Sequence, residues 1–285
     1  MTAMTRIAHI SDTHFGTEQP RVCAALRDAL LHESPDLVAL TGDVTQRARA
    51  SQFRAARIFV DSLSPLPVLV LPGNHDIPLF DFVTRLAAPY RNFRRHFGAD
   101  LAPLWQSGQV AVLGFNSTHR LRHKNGVIAP DDVDAIASRL AAVPQTFKIV
   151  ALHHPLASAT AEDIHNCARG KDAAIDAWTA AGADLFLSGH IHLAYCLAIG
   201  RAPHRAVAAN AGTAVSHRRR RGMTNSFNLV DLVIGGQHSL RITRLDYDTA
   251  GEEFVAAHRW MATRGPAGWT VTDGKMGEPD AAKPY

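Results

Sequence analysis

Cysteine is scarce in this 285-residue chain: Cys23, Cys167 and Cys196 are three in number and far apart. An odd, scattered set supplies neither a disulfide framework nor a zinc site of paired thiolates, and it fits a reducing compartment. Long apolar runs are missing as well. No stretch approaches the roughly 20 residues that a membrane-spanning helix needs. Asp12 and His14, the first residues with chemical potential, stand too near Met1 for a signal peptide to precede them. The expectation is a soluble protein of the cytoplasm. No internal repeat or interdomain linker stands out, so residues 4–260 are expected to form one domain. The end of the chain, 261–285, is rich in Gly, Ala, Pro, Asp and Lys and is expected to be a flexible tail.

Against these shortages, 46% of the residues are hydrophobic, enough to bury a substantial core. The net charge of +4 weakly favours anionic partners, and its one concentrated patch is Arg218 to Arg221. Such a run is ordinarily a solvated charge cluster, although a member can meet a phosphate. Histidine is abundant, with sixteen residues, and where they fall matters more than their number.

Apolar runs recur along the chain, and polar clusters close them. Ile7 to Ile10 reads as a buried strand followed by Asp12 and His14, which strand alternation would aim the same way. Val22, Leu26 and Leu30 then repeat at helical spacing before a second strand, Leu37 to Leu40, that ends in Thr41-Gly42-Asp43. Phe53, Ala56, Val60 and Leu63 mark the next helix, and Val68 to Leu71 runs into Pro72-Gly73-Asn74-His75-Asp76. Successive strand and helix units imply parallel strands with right-handed crossovers, whose polar ends share one edge of the sheet. Residues 77–104 suggest irregular helix covering the site. Further strands are expected at Val110 to Phe115, at Phe147 to Leu152 before His153-His154-Pro155, and at Leu185 to Leu187 before Gly189-His190-Ile191-His192. The remainder through Leu245 alternates like short antiparallel strands. The fold class expected is α/β, a four-layer αββα sandwich of two mixed β-sheets flanked by helices.

Collected, the strand-end residues are Asp12, His14, Asp43, Asn74, His153, His190 and His192. Taken singly, each has an ordinary structural reading: a hydrogen-bonded core histidine, or a helix cap for Asp43. Jointly, two carboxylates, an amide and four imidazoles exceed what one tetrahedral ion requires and suit two ions sharing a bridge. A carboxylate bridges most readily, and Asp43 is the central candidate. Two divalent cations would leave the site positive enough to attract an anion, and a phosphoryl group is the natural guest.

Five blocks in order, Asp12-x-His14, Gly42-Asp43, Gly73-Asn74-His75-Asp76, His153-x-Pro155 and Gly189-His190-x-His192, resemble the signature of the calcineurin-like metallophosphoesterase superfamily. In size and in the form of the blocks the chain is similar to bacterial class III cyclic-nucleotide phosphodiesterases and related glycerophosphodiesterases. The resemblance implies a metal-dependent phosphoric ester hydrolase, a small phosphodiester as substrate, and two transition-metal ions, Mn, Fe or Zn. It implies that Asp12, His14, Asp43 and His192 bind one ion and that Asp43, Asn74, His153 and His190 bind the other. His153 is preferred over His154 because the family's ligand precedes proline by two positions; His154 is the alternative. Hydroxide bridging the ions would attack phosphorus in line with the leaving oxygen. His75 would stabilise the transition state and protonate the leaving group, with Asp76 orienting or charging its imidazole. Rival readings are a nuclease, a phosphomonoesterase or nucleotide-sugar hydrolase of the same superfamily, and an inactive metal-binding scaffold. A nucleic acid partner would call for a broad basic groove, which the sequence does not suggest. No residue pattern identifies a substrate-binding group or an oligomeric state.

Overall fold

Short Val-, Leu- and Ile-rich runs closed by glycine or a polar cluster set the strand positions in the computed structural model, which describes residues 3–235 and 238–274. In chain order the elements are β1 (Ala3–Ile10), α1 (Pro20–Glu33), β2 (Leu37–Thr41), α2 (Ala50–Asp61), β3 (Val68–Leu71), α3 (Phe82–Ala87), α4 (Arg91–Phe97), β4 (Leu104–Ser107) and β5 (Val110–Phe115). There follow α5 (Pro130–Ala142), β6 (Phe147–Leu152), α6 (Lys171–Ala180), β7 (Ala183–Ser188), β8 (Tyr195–Ile199) and β9 (Ala206–Asn210). The chain then runs through β10 (Ser226–Ile234), β11 (Ser239–Asp248), β12 (Glu253–Gly265) and β13 (Gly268–Gly274). Helix starts follow local chemistry. Pro20 and Pro130 occupy first turns, where a missing N–H costs nothing, and Asp132 accepts the Ala129 N–H at 2.9 Å.

Two sheets result, with strand orders β13-β12-β11-β10-β1-β2-β3 and β4-β5-β6-β7-β9-β8. Pairing is parallel along β1-β2-β3 and along β5-β6-β7-β9, and antiparallel elsewhere. Period-two alternation sorts each strand's side chains between layers. Ile7, Leu37 and Ala39 meet Val112, Ile149 and Leu187 between the sheets, while Ala8, Val38 and Leu40 face Leu26, Leu30 and Phe53 of α1 and α2. On the other side Leu113 and Val150 pack on Val133, Ile136 and Leu140 of α5 and Trp178 of α6. The layering is helix, sheet, sheet, helix, as the hydrophobic pattern implies. Among the described residues no helix is long and apolar enough to cross a membrane.

Two expectations need correction. Residues 261–265 and 268–274 of the supposed tail are paired strand, joined by a turn, because β12 and β13 carry an apolar face that composition averaged away. Trp269 is fully buried, packs against Phe147 with ring centroids 5.7 Å apart, and donates its indole N–H to Asp184 Oδ1 at 2.9 Å. Residues 275–285 lie outside the described part. Nor is the C-terminal third wholly antiparallel: β9 pairs antiparallel with β8 but parallel with β7, which sets its polar end, Asn210, beside Ser188.

Candidate metal centre and substrate cavity

Parallel pairing puts the ends of β1, β2 and β3 at one edge of the first sheet, facing the ends of β6 and β7 in the second. All seven candidate ligands lie in the loops at those ends. Strand alternation does not aim Asp12 and His14, as the sequence suggested; left-handed backbone does. Asp12, His14, Asp43, His190 and His192 have φ of 53°, 43°, 47°, 70° and 59°, five of the eight non-glycine residues with positive φ among those described. Each such residue costs roughly 1 kcal/mol or more and persists where its surroundings over-determine it. Here the loops are laced together: Asp12 N–H donates to Gly42 O at 3.1 Å, His14 N–H to Asp43 O at 2.9 Å, and Gly189 N–H to His153 O at 3.0 Å. Gly73 is needed for close approach, since a Cβ there would stand 2.0 Å from the Asp43 nitrogen.

The result is a nest of facing lone pairs. His153 Nδ1–H donates to Thr41 O at 2.8 Å, so its Nε2 faces Asn74 Oδ1 and Asp43 Oδ1, at 3.2 and 3.3 Å. His192 Nδ1–H is likewise taken by Arg218 O at 2.5 Å, and its Nε2 lies 3.4 Å from both Asp12 Oδ1 and His14 Nε2. His14 Nε2 is in turn 3.7 Å from Asp43 Oδ2. Asp12 Oδ1 is fully buried with no hydrogen-bond partner, while Oδ2 accepts the His190 N–H at 3.0 Å. Buried lone pairs so close repel unless a cation lies among them. Asp12, His14 and His192 form one group able to hold an ion, Asp12, Asp43 and His153 another, His14, Asp43 and His75 a third, and His153, His154 and His190 a fourth. The donor set therefore fits two ions around a shared carboxylate.

Protonation follows the same crowding. Burial disfavours charge on His153, but Asp43 and Asp12 outweigh it and lift the imidazole to about 9, the proton standing in for a cation. Burial works against ionised Asp43 also, yet His153, His75 and His14 hold it well below the usual carboxylate range. His14 and His190, buried and with other imidazoles near, are pushed well below the usual histidine range.

His154 differs from its neighbour. Its Nε2–H donates to Lys124 O at 3.1 Å, and its Nδ1 lies 2.9 Å from the Ser117 hydroxyl, so both ring nitrogens are engaged. Burial and the neighbouring His153 push it down to about 3, and its ring packs on His190 with centroids 4.5 Å apart. It serves as a wedge that holds His190 and the loop before α5.

The expected pairing of Asp76 with the His75 ring is not found among the described contacts. Asp76 is buried and accepts the N–H groups of Val44, Thr45 and Gly73 and the Thr45 hydroxyl, at 2.8 to 3.0 Å. Burial and the charge of Asp43 push it up to about 7. It bolts the β2 and β3 loops together, because their backbone N–H groups have no strand partner. The His75 ring is oriented instead by Gln46 O, 2.9 Å from Nδ1, which turns Nε2 toward Arg218 NH1 at 3.0 Å.

Above the nest opens a cavity of about 590 Å³ whose wall includes Gln46, Arg47, His123, Lys124, Asn166 and Arg218. Of these, Arg218 stood out in the sequence as a member of the run that can meet a phosphate; Gln46, Arg47, Lys124 and Asn166 did not. Gln46 and Arg47 follow the Gly42-Asp43 block closely enough to have been candidates. Lys124 and Asn166 carry no such signal. Asn116, at the end of β5, caps its own loop by accepting from Thr118 N–H and Oγ1 at 3.1 and 2.7 Å.

Comparisons with known proteins agree with this architecture. Residues 5–194 match the calcineurin-like phosphoesterase family. The glycerophosphodiester phosphodiesterase GpdQ of Enterobacter lignolyticus (strain SCF1) is 36% identical over 81 residues, 25% of this chain and 29% of that protein. Purple acid phosphatase PPD1 from yellow lupin (Lupinus luteus) seeds superposes with a TM-score of 0.67 at 13% identity, over 90% of this chain and 53% of its own. A dimetal phosphatase from Danio rerio gives 0.57 at 13% identity, over 94% and 98%. At that identity the structural likeness shows a shared fold, and the aligned stretch spans less than a third of the curated relative. With the family match running from β1 past His192, and the ordered blocks converging at one edge of the paired sheets, this chain belongs to the calcineurin-like phosphoesterase family.

Proposed function

We propose that the protein is a metal-dependent hydrolase of small phosphodiesters, with Asp12, His14, Asp43 and His192 holding one transition-metal ion and Asp43, Asn74, His153 and His190 a second. The observation that carries this reading is the buried nest, in which Asp12 Oδ1, Asp43, Asn74 Oδ1 and three imidazole nitrogens converge and Asp12 Oδ1 is left without a hydrogen-bond partner. Imidazole with carboxylate suits Mn, Fe or Zn. Similarity to GpdQ over part of the chain supports a diester. Three free cysteines accord with a cytoplasmic setting.

Two ions held by these residues would supply Lewis acidity, activating water and drawing charge from the phosphoryl oxygens. The chain's own groups do the rest. Asp43 is held by the His75 N–H, 2.8 Å from Oδ1, so a shared ligand and a catalytic candidate are fixed on one loop contact. With Nδ1–H committed to Gln46 O, His75 presents Nε2 to the cavity; in the imidazolium form that nitrogen carries the proton that hydrogen-bonds a phosphoryl oxygen or passes to the departing alkoxide.

The test is hydrolysis of bis(p-nitrophenyl) phosphate by protein loaded with each metal and by chelated protein. Activity is expected only in the loaded forms. His75→Ala should lower turnover by roughly 100-fold or more, as loss of a general acid does, with metal content unchanged. A protein that binds two ions yet leaves every diester intact would overturn the reading, and parallel loss of metal and turnover in His75→Ala would make that residue structural.

A further inference from the structure

The cavity wall carries more positive charge than a simple diester needs. Arg47, Lys124 and Arg218 reach it from three separate loops, and its one carboxylate, Asp43, is engaged with His153 in the nest beneath. Among the described residues none of the three cations forms an ion pair, whereas Arg6, Arg57, Arg220 and Arg244 each do. Arg218 instead directs its guanidinium at neutral acceptors, 3.0 Å from His75 Nε2 and 3.1 Å from Gln46 Oε1. Its backbone is pinned by the hydroxyls of Ser216 and Thr213, at 2.9 and 3.0 Å. Arg47 is steadied over the Phe80 ring, 5.8 Å from the centroid, and the Lys124 carbonyl is fixed by His154. These cations repel one another, and a second negative group between them relieves the repulsion. Among the described residues no Phe, Tyr or Trp lines the cavity.

We propose that Arg47, Lys124 and Arg218 form a second-anion subsite, so that the preferred substrate is a phosphodiester whose released alcohol carries a further phosphate group. This rests on the phosphodiesterase reading above. Guanidinium forks match phosphate oxygens in pairs, which favours phosphate as the second group. On binding, Arg218 exchanges its contact with His75 for that phosphate, and His75 Nε2 is left clear for the departing oxygen. Hydrolysis breaks the P–O bond to this alcohol; water supplies OH to phosphorus and the proton to the alcohol oxygen. A reaction sequence that phosphorylates one hydroxyl of a diol or polyol and esterifies another to a second phosphate is the class that would supply such a substrate.

The experiment measures inhibition of bis(p-nitrophenyl) phosphate hydrolysis by propane-1,3-diol bisphosphate and by 3-hydroxypropyl phosphate, with thermal shifts for both, on metal-loaded protein. The bisphosphate is expected to bind at least about 10-fold tighter, the scale of one charge-assisted contact. Arg47→Ala and Arg218→Ala should each collapse that ratio, while Arg219→Ala and Arg221→Ala, at exposed positions outside the cavity, should keep it. Alanine keeps the Arg218 carbonyl that holds His192, and Arg47→Ala provides an arm remote from that contact. Equal binding of the two ligands, or a ratio indifferent to Arg47→Ala and Arg218→Ala, overturns the subsite and leaves the diesterase reading standing. An inert protein whose bisphosphate-specific thermal shift disappears in Arg47→Ala does the reverse.

Discussion

On the floor of the cavity, ring after ring has one nitrogen tied to a fixed oxygen and the other turned inward: His153 through Thr41 O, His192 through Arg218 O, His75 through Gln46 O. On the rim, Arg47, His123, Lys124 and Arg218 are exposed residues on loops, and what fixes them is mostly backbone. The floor is built to hold its geometry before any ligand arrives, with left-handed residues clamped between laced loops. The rim is built to move charge toward whatever enters. A ligand of the floor should therefore be irreplaceable, whereas rim contacts should tune affinity by amounts typical of exposed side chains.

Asp43→Asn would strain that comparison most. The substitution keeps size and shape but removes the charge shared between the two halves of the nest. Bound metal is expected to fall from two ions per chain to one or fewer. Turnover should drop more than about 100-fold, since even outer partners of metal ligands cost 10- to 100-fold. Atomic emission for metal and the diester assay for turnover check it, with circular dichroism to show that the fold survives. Full metal content in Asp43→Asn would move the bridging role elsewhere.

The adjacent histidines give a sharper, smaller contrast. His153→Ala should abolish binding of one ion. His154→Ala, which removes a wedge with both nitrogens already engaged, should keep two sites and weaken metal affinity by roughly 10- to 100-fold, as loss of an outer partner does. Competition against a chelating dye measures both. The opposite ranking would make His154 the ligand.

The floor was legible in the sequence for a physical reason. Strand-end motifs combine a short apolar run, a glycine and a ligand-type side chain, and parallel pairing forces such ends to one edge whatever the details of the loops. What could not be read was how the side chains are aimed: alternation was assumed for Asp12 and His14, while the structure uses positive φ. Asp76 shows a similar limit. Adjacency to His75 suggested a shared role, but the unpaired N–H groups of Val44, Thr45 and Gly73 had first claim on its carboxylate. The rim was illegible because Lys124 and Asn166 belong to connections with no periodicity, and their place depends on the loops they fold against. Residues 261–274 failed on composition, since Trp260 and Trp269, two rings at the right register, outweigh many small and polar neighbours.

The smallest expected effect lies where rim and scaffold meet. Arg220, unlike Arg218, is paired: its guanidinium lies 2.5 Å from Asp163 Oδ2, tying the arginine run to the segment that carries Asn166 into the cavity wall. Burial raises the Asp163 carboxyl, but hydrogen bonds from Thr160, Arg220 and Asn166 win, and its pKa is lowered. A depressed folded-state pKa contributes stability above the unfolded value, near 3.9 for aspartate, which is lost as pH falls through the lower folded value. Arg220→Ala should thus cost about 1 kcal/mol or less at pH 7, as partly exposed pairs do. The gap between wild type and variant should close only below about pH 4, where Asp163 takes up a proton in both. Thermal melts across that range measure it. A gap that stays constant down to pH 2 would mean that Arg220 acts by packing its stem rather than through its charge, and the link between rim and scaffold would then be apolar.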